Sequence, residues 1–442
     1  MTERSFRRAL HLRVNRIWLP RLRRRALFVV GGIVVGVAAL ALAYGADFAM
    51  ALFVSAQRQW PYMPLLVTPL GFGFLAWVTG RYFDGAQGSG IPQVIAARQL
   101  KDQQSKTKLV SPKLAAAKML LLSGGLLVGA SAGREGPTVQ VGASIMFWLG
   151  RFAPHRQPGL LLAGAAAGVA AAFNAPLAGI VFGIEEMGRS FELRTSGLVL
   201  GTVIVAGLVP LAIVGDYTYF GRSLVTLGHI QQWIWVLPVA AICGFAGGLF
   251  SRGLIAFSYG LPGRVGKVIK SHPVLFAVLC GLGVAVCGVV TGGSIFGTSA
   301  EQAKAIMAGE GAPAGFAPLK LLATLLSSVS GIPGGIFSPS LAVGAGIAEM
   351  VKTLVPLPIA ALTIVCMAAY LAAVLQAPIT AFVIVTEMTG NHALIFPVMI
   401  GALVATFCSK LVCREGVYHA LAHRILLRAT LDTKLKCRDN ES

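Results

Sequence analysis

The sequence GREGP, residues 133–137, places the carboxylate of Glu135 inside a long apolar stretch of the chain. An acidic side chain near the centre of a bilayer costs about 2.5 to 3.5 kcal/mol on insertion scales, so such residues usually mark the path of an ion or a proton. The glycines and the proline around Glu135 indicate a break in a helix. Half-helices that begin at membrane depth direct the positive ends of their dipoles at anions, so the motif predicts an anion site.

The same frame returns in the second half of the chain as GIFSP, residues 335–339, at an offset of 202 positions. The pairs that align at this offset without a gap include Lys118 with Lys320, Ala175-Pro176 with Ala377-Pro378, and Glu185 with Glu387. An internal duplication of this size in a membrane protein is typical of two repeats related by a pseudo-two-fold axis, with the substrate site between them. The alignment alone leaves open whether the repeats are inverted.

Composition assigns the chain to the polytopic helical membrane proteins. Of 442 residues, 56% are hydrophobic and only 12% are charged, and many apolar runs approach the roughly 20 residues that a spanning helix needs. The apolar run 26–54 is too long for the core of a cleavable signal peptide, so we interpret it as the first membrane helix.

The formal charge of +20 comes from basic residues at the chain ends and in the loops between apolar runs. This distribution follows the positive-inside rule, which favours cytoplasmic termini and argues against a nucleic-acid partner. We expect a basic cytoplasmic segment at 1–25, repeat halves at 26–215 and 216–425, and a short cytoplasmic tail at 426–442. We expect no soluble regulatory domain, because this tail is shorter than an ordinary domain. The seven cysteines form no Cys-x-x-Cys pattern, so we expect no disulfide, metal or cofactor.

Four segments are candidates for the anion site. Three are the glycine-containing and proline-containing breaks at 88–92 (GSGIP), 133–137 and 335–339, and the fourth is Tyr418, beyond the last long apolar run. Backbone amides and hydroxyls without a fixed cation suit a partly dehydrated halide, because a buried Lys or Arg would bind the ion too tightly to release it.

Together these segments resemble the CLC family of chloride channels and chloride/proton antiporters. GSGIP, GREGP and GIFSP occur in the family's order, and the similarity extends from about residue 27 to 425. The resemblance implies an all-α polytopic membrane protein with two inverted-topology repeats and about 18 membrane helices per subunit. It also implies a homodimer in the lipid bilayer, with one pathway for chloride in each subunit.

The motifs shared with the CLC family assign expected roles to particular residues. Ser89 and Tyr418 correspond to the family's hydroxyls at the central chloride, and the backbone amides of Ile336 and Phe337 line the same site. Glu135 corresponds to the gating glutamate, whose carboxylate occupies an anion position when it is deprotonated and leaves it when it is protonated. Carboxylate and halide are both monovalent anions that compete for the same helix dipoles, which agrees with this role.

Glu186 distinguishes between two modes of transport. In the CLC family, which the chain resembles, proton-coupled members carry an acidic residue at the second glutamate of the Ile-Glu-Glu sequence. Channels of the family typically carry an apolar residue at that position. Glu186 therefore favours chloride/proton antiport with an internal proton-transfer glutamate, and a passive chloride channel remains the alternative. A bacterial inner (plasma) membrane is the expected location. Glu185 and Glu387 are expected to serve packing or hydrogen-bonded structure.

Two local features remain. Ser89 favours chloride as the substrate, because relatives suited to nitrate tend to carry Pro at this position. Ser338 departs from the Ala of many bacterial relatives and leaves fine anion selectivity open.

The sequence GASAG, residues 129–133, matches the Gly-x-Ser-x-Gly elbow of serine hydrolases. No strand-turn-helix context accompanies it, so we expect no enzyme. We interpret Gly125, Gly129 and Gly133 as a helix-packing face.

Overall fold

The computed structural model describes residues 3–187, 196–215 and 218–441, with side chains described for 25–187, 197–215, 218–264 and 266–430. The described residues contain α-helices, three short 3-10 helices and two isolated β-bridges. The side chains of most of the predicted basic segment 1–25 and of 431–442 in the tail lie outside this description. Within the described backbone the all-α fold class is confirmed.

Within the described residues, the first half of the chain forms nine α-helices. They are α1 (Glu3–Gln59), α2 (Pro64–Tyr82), α3 (Ile91–Gln99), α4 (Gln103–Leu109), α5 (Pro112–Leu127), α6 (Glu135–Leu149), α7 (Gln157–Phe173), α8 (Pro176–Glu185) and α9 (Ser196–Val214). Helix α1 continues from the predicted basic segment into the predicted first membrane helix without a break.

Over the described range 218–441, the second half forms eleven α-helices. They are α10 (Ile230–Ile234), α11 (Val236–Tyr259), α12 (Gly263–Ser271), α13 (Pro273–Val290), α14 (Ala300–Ala308), α15 (Phe316–Val329), α16 (Phe337–Val351), α17 (Ile359–Leu375), α18 (Pro378–Thr389), α19 (Ile395–Val412) and α20 (Val417–Glu441). The predicted boundary near 215 falls in the connection between α9 and α10. The described residues thus contain 20 α-helices, more than the expected 18, because short helices such as α4 and α10 are included.

The duplication is visible in the helix starts. Helices α6, α7 and α8 begin at residues 135, 157 and 176, and α16, α17 and α18 begin at 337, 359 and 378, each 202 positions later. Six helices of the described residues are long and apolar enough to cross a membrane. Several of the remaining apolar helices have only 10–17 residues, too short for a spanning helix of ordinary length.

Glycines let the paired helices of each repeat approach closely. A Cβ atom on Gly142 of α6 would collide with the backbone carbonyl of Gly164 on α7. At the equivalent place in the second repeat, Gly344 of α16 faces the carbonyl of Cys366 on α17. Small residues at such crossings let helices pack where no hydrophobic effect drives association, because the lipid is as apolar as the helix surface.

One packing prediction is wrong. Helix α5 ends at Leu127, so Gly129 and Gly133 lie in the connection to α6 and form no helix face with Gly125. Gly129 has φ +84°, a left-handed conformation that glycine adopts without strain, and a Cβ atom there would overlap the ring of Phe53. These glycines shape the turn that leads to Glu135.

Candidate anion and proton site

The interrupted helices of the two repeats meet at one point. Gly133 and Gly335 donate their N–H groups to each other's carbonyls, both at 2.8 Å. Gly88 donates to Ile332 at 3.1 Å, and Gly334 donates to Gly88 at 3.1 Å. These bonds bring together the turns that precede α3, α6 and α16, so the free N–H groups and positive dipole ends of three helices lie close together.

Two buried lysines hold the turns in place, and both side chains are fully buried. Lys118 Nζ donates to the carbonyl oxygens of Ala86 at 2.7 Å and Gly88 at 2.5 Å, in the segment that leads to GSGIP. Lys320 Nζ donates to the carbonyls of Ile295 at 2.9 Å and Gly297 at 2.8 Å. In the sequence these lysines stand out only as an aligned pair, and their equivalent positions in the two repeats are the signal of a shared structural role.

Ser131, the serine of the hydrolase-like GASAG sequence, belongs to the same support. Its hydroxyl accepts from Lys320 Nζ at 3.0 Å and contacts the hydroxyl of Thr324 at 3.0 Å. Lys320 therefore links the Ser131 hydroxyl to the carbonyls of Ile295 and Gly297. These contacts join the GASAG turn to α15.

Glu135 is the first residue of α6, and its side chain is fully buried. Ser338 donates its hydroxyl to Glu135 Oε1 at 2.5 Å. The other carboxylate oxygen, Oε2, lies against Gly133, where a Cβ atom would overlap it, and has no hydrogen bond within the described residues. The carboxylate therefore occupies the junction of the two repeats, where its described hydrogen bond comes from Ser338 of the second repeat.

A polar cluster surrounds the carboxylate on one side. Tyr219, in the connection after α9, places its phenol close to Ser338. Arg134, which precedes α6, forms an ion pair with Asp47 of α1 at 2.6 Å and donates to the carbonyl of Ala43 at 3.0 Å. Asp47 and Tyr219 were missed by the sequence analysis because no motif marks them and both lie far from Glu135 along the chain.

Ser89 and Tyr418 meet on another side of the junction. The Tyr418 side chain is fully buried and interacts with Ser89, but neither hydroxyl oxygen has a partner of good hydrogen-bond geometry within the described residues. The Ser89 hydroxyl packs against Gly136 in the first turn of α6, where a Cβ atom would overlap it. Two buried hydroxyls with spare donor capacity therefore lie beside a helix N-terminus.

Phe337 joins this group through its ring and its backbone. Its ring stacks on Tyr418 with a centroid separation of 6.0 Å and makes edge contacts with Phe173 at 5.7 Å and Phe182 at 6.2 Å. Ile336 and Phe337 begin α16, so their N–H groups belong to the first turn, which has no acceptor within the helix. A cavity of about 980 Å³ reaches Ser89, Ile336 and Tyr418 and is also lined by Lys108, Lys113, Arg424 and Arg428.

Glu186 is separate from these donors. It follows the last residue of α8, is 4% exposed, and its Oε1 lies 3.7 Å from Nε2 of His419. The His419 side chain is one-third exposed, so it connects the buried carboxylate to a more accessible surface. His419 follows Tyr418 directly in α20, so Glu186 lies near Tyr418 in the fold.

The aligned glutamates Glu185 and Glu387 cap each other's helices. Glu185 accepts from the N–H groups of Ile379 at 3.1 Å and Thr380 at 2.6 Å at the start of α18. Glu387 accepts from Leu177 at 3.2 Å and Ala178 at 2.6 Å at the start of α8. A carboxylate at a helix N-terminus is favoured by the dipole and by the free N–H groups. The hydrogen-bonded role predicted for both residues is confirmed.

The described residues form a polytopic membrane protein of the transport class, in which two repeats join a buried carboxylate, hydroxyl donors and helix N-termini. The sequence model of the voltage gated chloride channel family matches residues 71–410. The chain belongs to this family, the CLC proteins, as the motifs predicted.

Solved structures have the same fold. A slow cyanobacterial Cl⁻/H⁺ antiporter is 24% identical with a TM-score of 0.75, over 91% of this chain and 97% of that chain. A CLC-type fluoride/proton antiporter is 23% identical with a TM-score of 0.76, over 90% and 98% of the two chains. A eukaryotic CLC transporter is 19% identical with a TM-score of 0.73, over 92% and 74%. At these identities the likeness concerns the fold.

Proposed function

We propose that this protein is a secondary active transporter that exchanges chloride for protons across the membrane. The observation that supports the proposal is the position of the Glu135 carboxylate, buried where the first turns of α6 and α16 converge. An ionised carboxylate competes with a halide for this electrostatic environment, whereas a protonated one does not. Protonation of Glu135 therefore admits the anion, and its deprotonation excludes the anion, which couples the two movements.

Chloride binds between the hydroxyls of Ser89 and Tyr418 and the backbone amides of Ile336 and Phe337 in this proposal. All four groups are hydrogen-bond donors at the junction of the repeats, and the two hydroxyls lack good partners within the described protein. The lysines and arginines that line the connecting cavity raise the local anion concentration. Because none of them belongs to the four-group site, the ion is held without a fixed opposite charge and can leave.

Proton transport needs a second proton-transfer residue, because the Glu135 side chain cannot itself cross the membrane. Glu186 is that residue in our proposal, since its carboxylate is buried and lies apart from the hydroxyl donors. His419, 3.7 Å away and partly exposed, gives it access to the surface. A passive channel has no requirement for a buried carboxylate at this place, so Glu186 favours exchange over the channel alternative.

We place the protein in a bacterial inner (plasma) membrane as a homodimer, with both termini in the cytoplasm. We place the dimer contact on the mutually capped helices α8 and α18, which expose apolar side chains, among them Leu177, Ile184 and Ile379. Cross-linking of single-cysteine variants on α8 in membranes tests the dimer, and reporter fusions at each end of the chain test the topology. A monomer in native membranes would contradict this assembly.

The decisive experiment is transport by the purified protein in liposomes. An outward chloride gradient should drive protons into the vesicles against their own gradient, and the reversal potential should shift with the pH gradient. A passive pore would reverse at the chloride equilibrium potential at every pH and would move no protons. Glu135→Gln is the matched control, because the neutral amide preserves size and removes the titrating group.

A further inference from the structure

Helix α12 divides its surface into a basic side and an apolar side. Arg264, Lys267 and Lys270 recur at three-residue spacing, so at about 100° per residue they share about one third of the helix circumference. Val268 and Ile269 point to the other side. A helix with this division, and with cations on its polar side, is typical of segments that lie in the plane of a membrane surface.

The position of α12 in the fold puts it at such a surface. It occupies the connection between α11 and α13, which both belong to segments that are long and apolar enough to cross a membrane. His272 is the single residue between α12 and α13, and its N–H donates to the carbonyl of Val268 at 3.0 Å. A Cβ atom on Gly266 would overlap the carbonyl of Leu261, so the chain that leads into α12 covers this third side of the helix.

The other two sides of α12 are not satisfied within the described protein. Val268 is apolar but 57% exposed. The three cations are exposed and form no ion pair with a described residue. The sequence supplies no acid nearby, because residues 217–300 contain neither Asp nor Glu. An apolar side next to unpaired cations fits an occupant that is itself part apolar and part anionic.

We propose that α12 is a docking site for anionic phospholipids of the adjacent bilayer leaflet. Val268 and Ile269 lie at the acyl-chain boundary, and the three cations bind phosphate groups at headgroup level through their long side chains. A soluble acidic protein would complement the charges but not the apolar side. The inference does not depend on the proposed exchange of chloride for protons, since it requires only that α11 and α13 cross the bilayer.

The number of cations sets the size of the expected effect. One Lys or Arg close to an anionic membrane surface favours binding by about fivefold, so three should favour it by about a hundredfold at low ionic strength. The screening length falls to about 3 Å at 1 M salt. The preference for anionic lipid should therefore shrink steeply as salt is added.

The experiment places a bimane label on α12 of the full-length protein in nanodiscs. It compares quenching of the label by brominated phosphatidylglycerol, which is anionic, with quenching by brominated phosphatidylcholine, which is zwitterionic. Cys413→Ser and Cys437→Ser leave only the five buried cysteines, and Val268→Cys carries the label. We expect both lipids to quench it, and phosphatidylglycerol to quench it far more than its mole fraction predicts. A label at Lys267→Cys should be quenched mainly by aqueous iodide.

Variants of the labelled protein separate charge from its placement on the helix. In Arg264→Gln/Lys267→Gln/Lys270→Gln the two lipids should quench the label equally, because the groups that select the headgroup are lost. Lys267→Arg/Lys270→Arg is the matched control, since it retains the charges and should retain the preference. Ile269→Lys/Lys270→Ile keeps the charge and the composition but puts a cation on the apolar side, so quenching by both lipids should fall. Gel filtration and thermal melting establish that each variant folds.

Two kinds of result would overturn the proposal. One is equal quenching by the two lipids with all three cations in place, or an unaltered preference in the triple glutamine variant. The other is protection of the label from iodide without quenching by either lipid, which would assign this surface to a soluble protein or to a second copy of this chain. None of these measurements involves transport, so a failure of the proposed exchange would be seen separately in liposomes.

Discussion

Gly136 offers a precise test of the proposed chloride site, because a single methyl group there would displace one ligand. A Cβ atom at Gly136 would overlap the Ser89 hydroxyl, while the nearest Ser89 backbone atom would lie 3.2 Å away. The Gly136→Ala variant should therefore rotate the Ser89 hydroxyl away and leave the surrounding backbone nearly unmoved. The effect should appear in anion binding rather than in folding.

The magnitude follows from the lost hydrogen bond. A bond to a charged partner contributes about 1.5 to 3 kcal/mol, so chloride affinity should fall by about 10- to 150-fold. Gly80→Ala is the matched control, since Gly80 lies in α2 and a Cβ atom there has no neighbour within 4 Å. Replacement of an exposed helical glycine by alanine should stabilise the protein by up to about 1 kcal/mol and leave chloride binding unaltered.

Isothermal titration calorimetry with chloride measures these affinities on the purified protein. The Ser89→Ala variant should lose a similar amount of binding free energy, and the double variant Ser89→Ala/Gly136→Ala should lose little more than either single one. Unaltered affinity in Gly136→Ala would refute the assignment of the Ser89 hydroxyl to the ion. Fully additive losses would show that Gly136 acts by some route other than Ser89.

Substitutions at three further positions test the proposed pathway in the same liposomes. Glu135→Gln should keep chloride movement and abolish proton movement, because the amide mimics the protonated acid; persistent chloride-driven proton pumping would reject Glu135 as the gate. Glu186→Gln should also lose proton transport while keeping chloride affinity within about threefold by calorimetry, since the residue lies apart from the proposed anion ligands; a large affinity loss with coupling preserved would reverse its role. Tyr418→Phe should retain most coupling, because its ring still packs on Phe337, whereas Tyr418→Ala should leak chloride. Equal coupling ratios in the two Tyr418 variants would show that the ring is not a gate.

Sequence reasoning predicted the starts of the broken helices because the signals are local. Glycine and proline near 90, 135 and 337 interrupt apolar runs, and α3, α6 and α16 begin at Ile91, Glu135 and Phe337. The constant offset between the halves predicted paired elements with equal roles. Where the local signal was ambiguous the prediction was wrong: the spacing of Gly125, Gly129 and Gly133 suits a helix face, but the helix ends at Leu127 and the other two glycines form a turn.

Contacts between segments that are far apart in the chain could not be predicted from the sequence. The Glu185 carboxylate caps α18 from 195 positions away, and Ser338 reaches Glu135 across 203 positions. Lys320 supports a turn that includes Ser131, 189 positions before it. No pattern along the chain encodes these partners, since each depends on how the two repeats pack against each other.

By itself the sequence determined the membrane class, the duplicated organisation, the family and the positions at which helices begin, because hydropathy, repetition and glycine or proline punctuation are properties of short stretches. Only the tertiary structure decided which groups surround the buried carboxylate: Ser338 as its donor, and Tyr219 and the Arg134–Asp47 pair close by. The physical reason is that a hydrogen bond requires donor and acceptor within about 3 Å at a suitable angle. That condition is met or lost through the packing of helices that are far apart in the chain.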